Sequence, residues 1–145
     1  MDVRDLPGVD KVCAWQDAVF DRNTIDSIFS SQTLEHLNKA DQEKALRKSW
    51  WWLKPGCVIE IWTPCLERQL QWYQEGKITL QWLQTVLYGE QDYPANTHLW
   101  VHTEESLRNI LTDCGFIILQ CDETEGSLHV VARKKTLSEM KEEKD

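Results

Sequence analysis

Hydrophobic positions along the chain fall into two rhythms. Residues 9–13 and 25–30 are short, β-branched and alternating, which predicts two strands, and the turn formers of residues 21–24 separate them. Residues 57–63 read as a third strand. Between them Leu46, Trp50 and Leu53 recur at i, i+4 and i+7, with Asn38 as an N-cap and Asp41 and Glu43 in or near the first turn, so a helix is predicted there. Lys54-Pro55-Gly56 ends it, because Pro55 lacks an amide donor and disfavours helical geometry at Lys54. Two further helices are predicted over residues 66–74 and 78–87, divided at Gly76, followed by a polar loop over residues 89–98. The last helix is capped by Thr103, buries Leu107, Ile110, Leu111 and Cys114, and closes at Gly115. A hairpin of residues 116–121 and 128–132 turns at Glu125-Gly126-Ser127. This order predicts an α/β layer fold with a mostly parallel sheet and a C-terminal antiparallel hairpin. It forms one domain over residues 1–133, with residues 134–145 as a charged, solvated tail that frays.

Composition narrows the function. The 145 residues are 41% apolar, enough for a real core, and carry a net charge of −8. An acidic balance argues against non-specific grip on nucleic acid, which needs Lys and Arg against phosphates. No run approaches 18 apolar residues and the first residues are charged, so a soluble cytoplasmic protein with no membrane partner is expected. Five cysteines without close pairing read as reduced thiols. Eight tryptophans need a reason, above all Trp50, Trp51 and Trp52. Three successive helical residues point in three directions, so one packs on the sheet and another faces solvent, where it suits an interface better than ligand stacking.

Several segments, in order, carry a family likeness. Asp2 to Asp10 is similar to a stretch running from a second strand toward a third. Ile25 to Leu37, ending Leu34-Glu35-His36-Leu37, resembles a fourth strand with its signature. Leu53-Lys54-Pro55-Gly56 matches the turn before a fifth strand, and Tyr88 to Tyr93 followed by Thr103 to Phe116 matches the late loop and helix. Together they resemble the class I S-adenosylmethionine-dependent methyltransferases, in particular the small type 11 group. That resemblance implies a Rossmann-like sheet, S-adenosylmethionine as cofactor, and methyl transfer to a small-molecule or glycan acceptor. It places Asp2 at the ribose hydroxyls, Ser30, Ser31 and Gln32 along the cofactor, and Glu35, His36 and His98 toward the acceptor.

The likeness also has gaps. The family's first strand and its glycine-rich loop have no counterpart, since Gly8, Gly56, Gly76, Gly89, Gly115 and Gly126 never approach a G-x-G spacing. Ala14 stands where an acid usually meets the adenine amino group. A sheet without that strand leaves backbone groups unpaired unless a second copy or a partner chain fills the gap. Two readings therefore stand at this stage: an enzyme of the family, or a catalytically silent, truncated relative serving as an interaction or regulatory module.

The residues themselves support some of these sites. Glu35 and His36 follow a parallel strand's C-terminal end, where open α/β sheets bind ligands, and a histidine there can orient or deprotonate a hydroxyl. His98 sits with Asn96 in the polar loop. His98 and His102 have i, i+4 spacing, but no glutamate follows His98 and no C-x-x-C exists, so no metal site is expected. Pro64-Cys65 follows the wrong strand for a cytosine-methylating nucleophile. Ser30 to Thr33 lacks the motif of amino-methylating DNA enzymes. Nucleic acid is not the expected substrate.

Overall fold

The computed structural model describes residues 1–142, so the last three residues of the predicted tail lie outside the described residues. Four strands, β1 (Ile25–Ser31), β2 (Leu53–Pro64), β3 (Phe116–Thr124) and β4 (Ser127–Lys134), form one sheet in the order β1-β2-β4-β3. β1 and β2 are parallel, with Ser27 opposite Val58 and Ser31 opposite Trp62. β4 is antiparallel to both its neighbours, so three strands run one way and β4 alone runs against them. This is the mostly parallel sheet with an antiparallel C-terminal hairpin, and the hairpin's second strand is interior.

Alternation decides which face is covered. Ile59, Ile61 and Thr63 of β2 and Leu128, Val130 and Ala132 of β4 are buried on one face, against α1 (Lys39–Trp52) and α4 (Glu104–Asp113). Leu46, Leu107 and Leu111 meet them with no exposed surface, each side chain contributing roughly 1.5–3 kcal/mol by leaving water. Asn38 caps α1 by accepting from the Asp41 amide at 2.9 Å. Thr103 caps α4 through a reciprocal box with Ser106. α2 (Leu66–Gln74) and α3 (Leu80–Tyr88) follow β2. All five cysteines are free, and no helix among the described residues is long and apolar enough to cross a membrane.

Three expectations change. α1 stops at Trp52 and Leu53 opens β2, because the residues before Pro55 are pushed into extended geometry and Leu53 pairs with Ile25. The tryptophans do diverge: Trp52 is buried, Trp51 is 47% exposed, and half-buried Trp50 donates to the Gly115 carbonyl at 3.1 Å. Residues 9–13 form no strand; Val12 makes a single bridge with Asp2, because β1 is the end of the sheet and offers them no contact in register. The charged tail is ordered further than expected. Lys134, 1% exposed, donates to the Leu53 carbonyl and to Asn23, both at 2.8 Å, and α5 (Leu137–Glu142) is tied back by the Arg133–Glu139 pair at 2.6 Å.

Candidate active site

The chain leaves β1 through a sharp corner. Gln32 takes a positive φ of 50° and its amide closes the β1–β2 ladder on the Trp62 carbonyl at 2.8 Å. A 3-10 turn, Leu34–His36, follows, with Leu34 sunk into the core. That turn aims Glu35 inward. Its Oε2 accepts from the Thr63 hydroxyl at 3.1 Å, while Oε1 is buried and has no partner. Burial pushes the Glu35 carboxyl up to about 7, offset in part by its own backbone amide and by Thr63.

His36 borders a cavity. Its Nδ1 donates to the Thr97 carbonyl at 3.1 Å, and burial holds its pKa below the usual imidazole value, so the ring is neutral at pH 7. His98 donates from Nδ1 to the Val86 carbonyl at 2.6 Å. The two rings meet edge to face with centroids 4.7 Å apart.

Backbone bonds explain how residues 62 positions apart in sequence meet. The Glu35 carbonyl accepts from Leu99 and Trp100 amides at 2.7 and 3.2 Å, and the His98 amide donates to Tyr88 at 3.0 Å. Gly89, at φ 76°, permits the approach, since a Cβ there would overlap the Asn96 carbonyl oxygen. Behind the corner Gln42, fully buried, donates to the Leu34, Leu37 and Trp100 carbonyls and accepts from His102 Nε2 at 2.7 Å. His102 is thus a structural histidine, pushed down to about 4 by burial, and is no partner of His98.

Along the outer edge of β1 lies a cavity of about 730 Å³, closed on its far side by residues 1–4 and the 3-10 turn Trp15–Asp17. Ser30, Ser31 and Gln32 line it, as does Asp2. Glu35 and His98 stand behind His36 and do not reach it. Asp2 is held by Arg4, whose side chain and amide bond its carboxylate at 2.9 to 3.2 Å and keep its pKa low. Ser30 Oγ and Gln16 Oε1 are buried, partnerless, and belong to residues of the lining. Gln16 and Arg4 were not singled out in the sequence. Gln16 lies two positions past Ala14, and a lone glutamine in a turn carries no sequence signal of a binding role. None of the six glycines lines the cavity.

A parallel β1–β2 pair with a polar corner at its C-terminal end, beside a cavity, is the arrangement in which open α/β sheets bind ligands. The chain belongs to the methyltransferase-domain family, whose model matches residues 4–120. Its fold is similar to a Methanosarcina mazei S-adenosylmethionine-dependent methyltransferase at 19% identity and a TM-score of 0.63, covering 87% of this chain and 66% of that one. It is also similar to the Burkholderia thailandensis 1,6-didemethyltoxoflavin-N1-methyltransferase, solved with its substrate and S-adenosylhomocysteine, at 15% identity and 0.60, covering 86% and 50%. A third likeness is the N-methyltransferase NodS from Bradyrhizobium japonicum with S-adenosylhomocysteine, at 13% and 0.57, covering 86% and 53%. The chain thus spans between half and two thirds of these proteins. No curated protein sequence matches it.

Proposed function

We propose that this chain holds the adenosyl part of S-adenosylmethionine in the cavity beside β1 and presents His36 to the hydroxyl of a small-molecule or glycan acceptor. The observation that carries the reading is the pair of buried, partnerless oxygens, Ser30 Oγ and Gln16 Oε1, in the lining of one cavity. Buried polar atoms without partners are costly, and a ligand rich in hydroxyl and amino groups satisfies both once the Ser30 and Gln16 side chains turn toward the cavity their residues line. Adenosine is such a ligand. Its ribose hydroxyls also suit Asp2 once Arg4 yields one of its bonds. The amino-acid end of the cofactor finds no glycine cradle among the lining residues, so the fit favours the adenosyl half.

When bound, the cofactor supplies an activated methyl group on a sulfonium. This chain's part is to align and to take a proton. His36, neutral and with Nδ1 committed to Thr97, offers Nε2 as the acceptor for a hydroxyl proton, a contribution typically worth about 10²–10⁴ in rate. His98 packs against the ring and Glu35 fixes the turn, so both act as positioning residues. The test is calorimetric titration of S-adenosylhomocysteine into the purified chain. Saturable heat, weakened in Asp2→Ala and in Ser30→Val, supports the reading; no heat from folded protein overturns it.

A second reading, a silent relative serving as an interaction module, is favoured by the open edge of β1, where Phe29 is 67% exposed. On that reading a second copy or a partner chain completes the sheet. Sedimentation of the pure chain distinguishes them, since a dimer lost in Phe29→Lys supports pairing at that edge.

A further inference from the structure

Glu35, His36 and His98 bring one carboxyl group and two imidazoles together. One candidate ligand atom from each lies within 4.8 Å of the other two. Because each ring donates from Nδ1 to a carbonyl, Thr97 for His36 and Val86 for His98, each presents Nε2 as a lone pair. Glu35 adds a buried oxygen that bonds to nothing, and its other oxygen is oriented by Thr63. With Glu35 ionised, acceptor atoms gathered in this corner repel one another unless a cation lies among them; with Glu35 protonated, its O–H can donate to a ring nitrogen, and a metal ion binds by displacing that proton.

We propose that Glu35, His36 and His98 bind one divalent transition-metal ion, with Zn²⁺ the best match. Two imidazoles and one carboxylate are the protein ligands of open zinc sites, which keep a further position for water or substrate. Mg²⁺ and Ca²⁺ prefer oxygen ligands and fit the two nitrogens poorly. The supporting bonds are those that metal-ligating side chains use: carbonyls on the distal ring nitrogens and a hydroxyl on the carboxylate. In a tetrahedral site, ligand atoms about 2.1 Å from one ion stand about 3.4 Å from one another, so atoms up to 4.8 Å apart must close by as much as about 1.4 Å, which takes side-chain rotation at His36 and His98 as well as a shift of the loop that carries His98. Since His36 borders the cavity, an acceptor hydroxyl entering there can take the open position. The ion would lower the pKa of that hydroxyl, whose proton passes to water, and His36 would then serve as ligand in place of base. This role rests on the methyl-transfer reading; the binding itself does not.

The experiment is titration of ZnCl₂ into chelator-stripped protein, without cofactor, followed by calorimetry and by thermal unfolding. One Zn²⁺ per chain and a raised unfolding midpoint are expected. Binding should weaken about tenfold or more in His98→Gln and in His36→Gln, and up to about tenfold in Thr63→Val. His98→Gln gives up the bond to Val86 and the ring contact, so its metal-free midpoint should fall slightly while its circular dichroism matches the wild type, which separates lost ligation from lost fold. No saturable binding to wild type overturns the proposal. Equal binding to the His36→Gln/His98→Gln double variant also overturns it, by assigning the ion to the thiols. S-adenosylhomocysteine titrated into the same stripped protein keeps the two ideas apart: saturable binding of it without zinc binding removes the metal and leaves the methyltransferase reading in place.

Discussion

One wall of the cavity, β1 with the turn after it, is tied from three directions: to β2 through the ladder, to residues 99–100 through the Glu35 carbonyl, and to α1 and α4 through Gln42 and His102. The opposite wall, residues 1–24, is tied chiefly from one side: Trp15 donates to Ser49 at 2.9 Å and Lys48 to the Gln16 carbonyl at 2.9 Å, both on α1, and the Asn23 and Thr24 amides donate to the end of that helix, while Lys134 reaches Asn23 at 2.8 Å and residues 1–13 are held by a single bridge between Asp2 and Val12. Arg4 over Tyr93 and Lys11 over Phe20 add only exposed contacts. The β1 wall is therefore set before any ligand arrives. Residues 1–13 of the other wall have fewer ties to the rest of the chain.

Substitutions should expose this difference. The largest effect is expected from Gln42→Ala, which strips three buried carbonyls and His102 of their partner. Unpaired buried groups cost about 1–3 kcal/mol each, so a loss of more than about 3 kcal/mol by urea unfolding is predicted. Asp2→Ala, on the other wall, should leave the urea midpoint where it was. An equal loss from both would dissolve the contrast.

Acid and base sharpen it next. Glu35, raised to about 7 from 4.5, contributes stability that is present below pH 4.5 and lost as pH rises through 7. His102, lowered to about 4 from 6.5, does the reverse: its contribution is present above pH 6.5 and lost as pH falls through 4. Each amounts to about 3 kcal/mol. In chelator the Glu35 and His102 slopes should offset each other between pH 4.5 and 6.5, leaving the smaller rise with pH that the lowered His36 contributes. Glu35→Gln should then reveal stability rising with pH, and His102→Asn stability falling with it. A flat profile in either variant would count against the burial described for that group.

Smaller effects follow. Gly89→Ala forces a side chain into a positive φ and against Asn96, and should cost about 1–2 kcal/mol while weakening whatever His98 binds. Trp51→Ala, on the exposed side of α1, should change stability by less than about 0.5 kcal/mol.

How far the sequence foretold this follows from the range of each interaction. Helix caps at Asn38 and Thr103, the hairpin and the divergence of the three tryptophans are local, and periodicity finds local features. The grouping of Glu35, His36 and His98 was legible only through resemblance, because it depends on the Gly89 turn and on backbone bonds between residues 35 and 99. The order at Lys134 was hidden by composition, which reads a lysine-rich end as solvated. Its ammonium is buried because it reaches the Leu53 carbonyl across the sheet. Residues 9–13 misled for the opposite reason: their pattern suits a strand, yet no strand lies beside them to pair with.

The most direct test of the account is a backbone amide spectrum of the labelled chain titrated with S-adenosylhomocysteine. The account predicts progressive shifts at Asp2, Gln16 and residues 30–32, with α4 and the hairpin unmoved. Shifts confined to other surfaces, or none at saturating ligand, would contradict it.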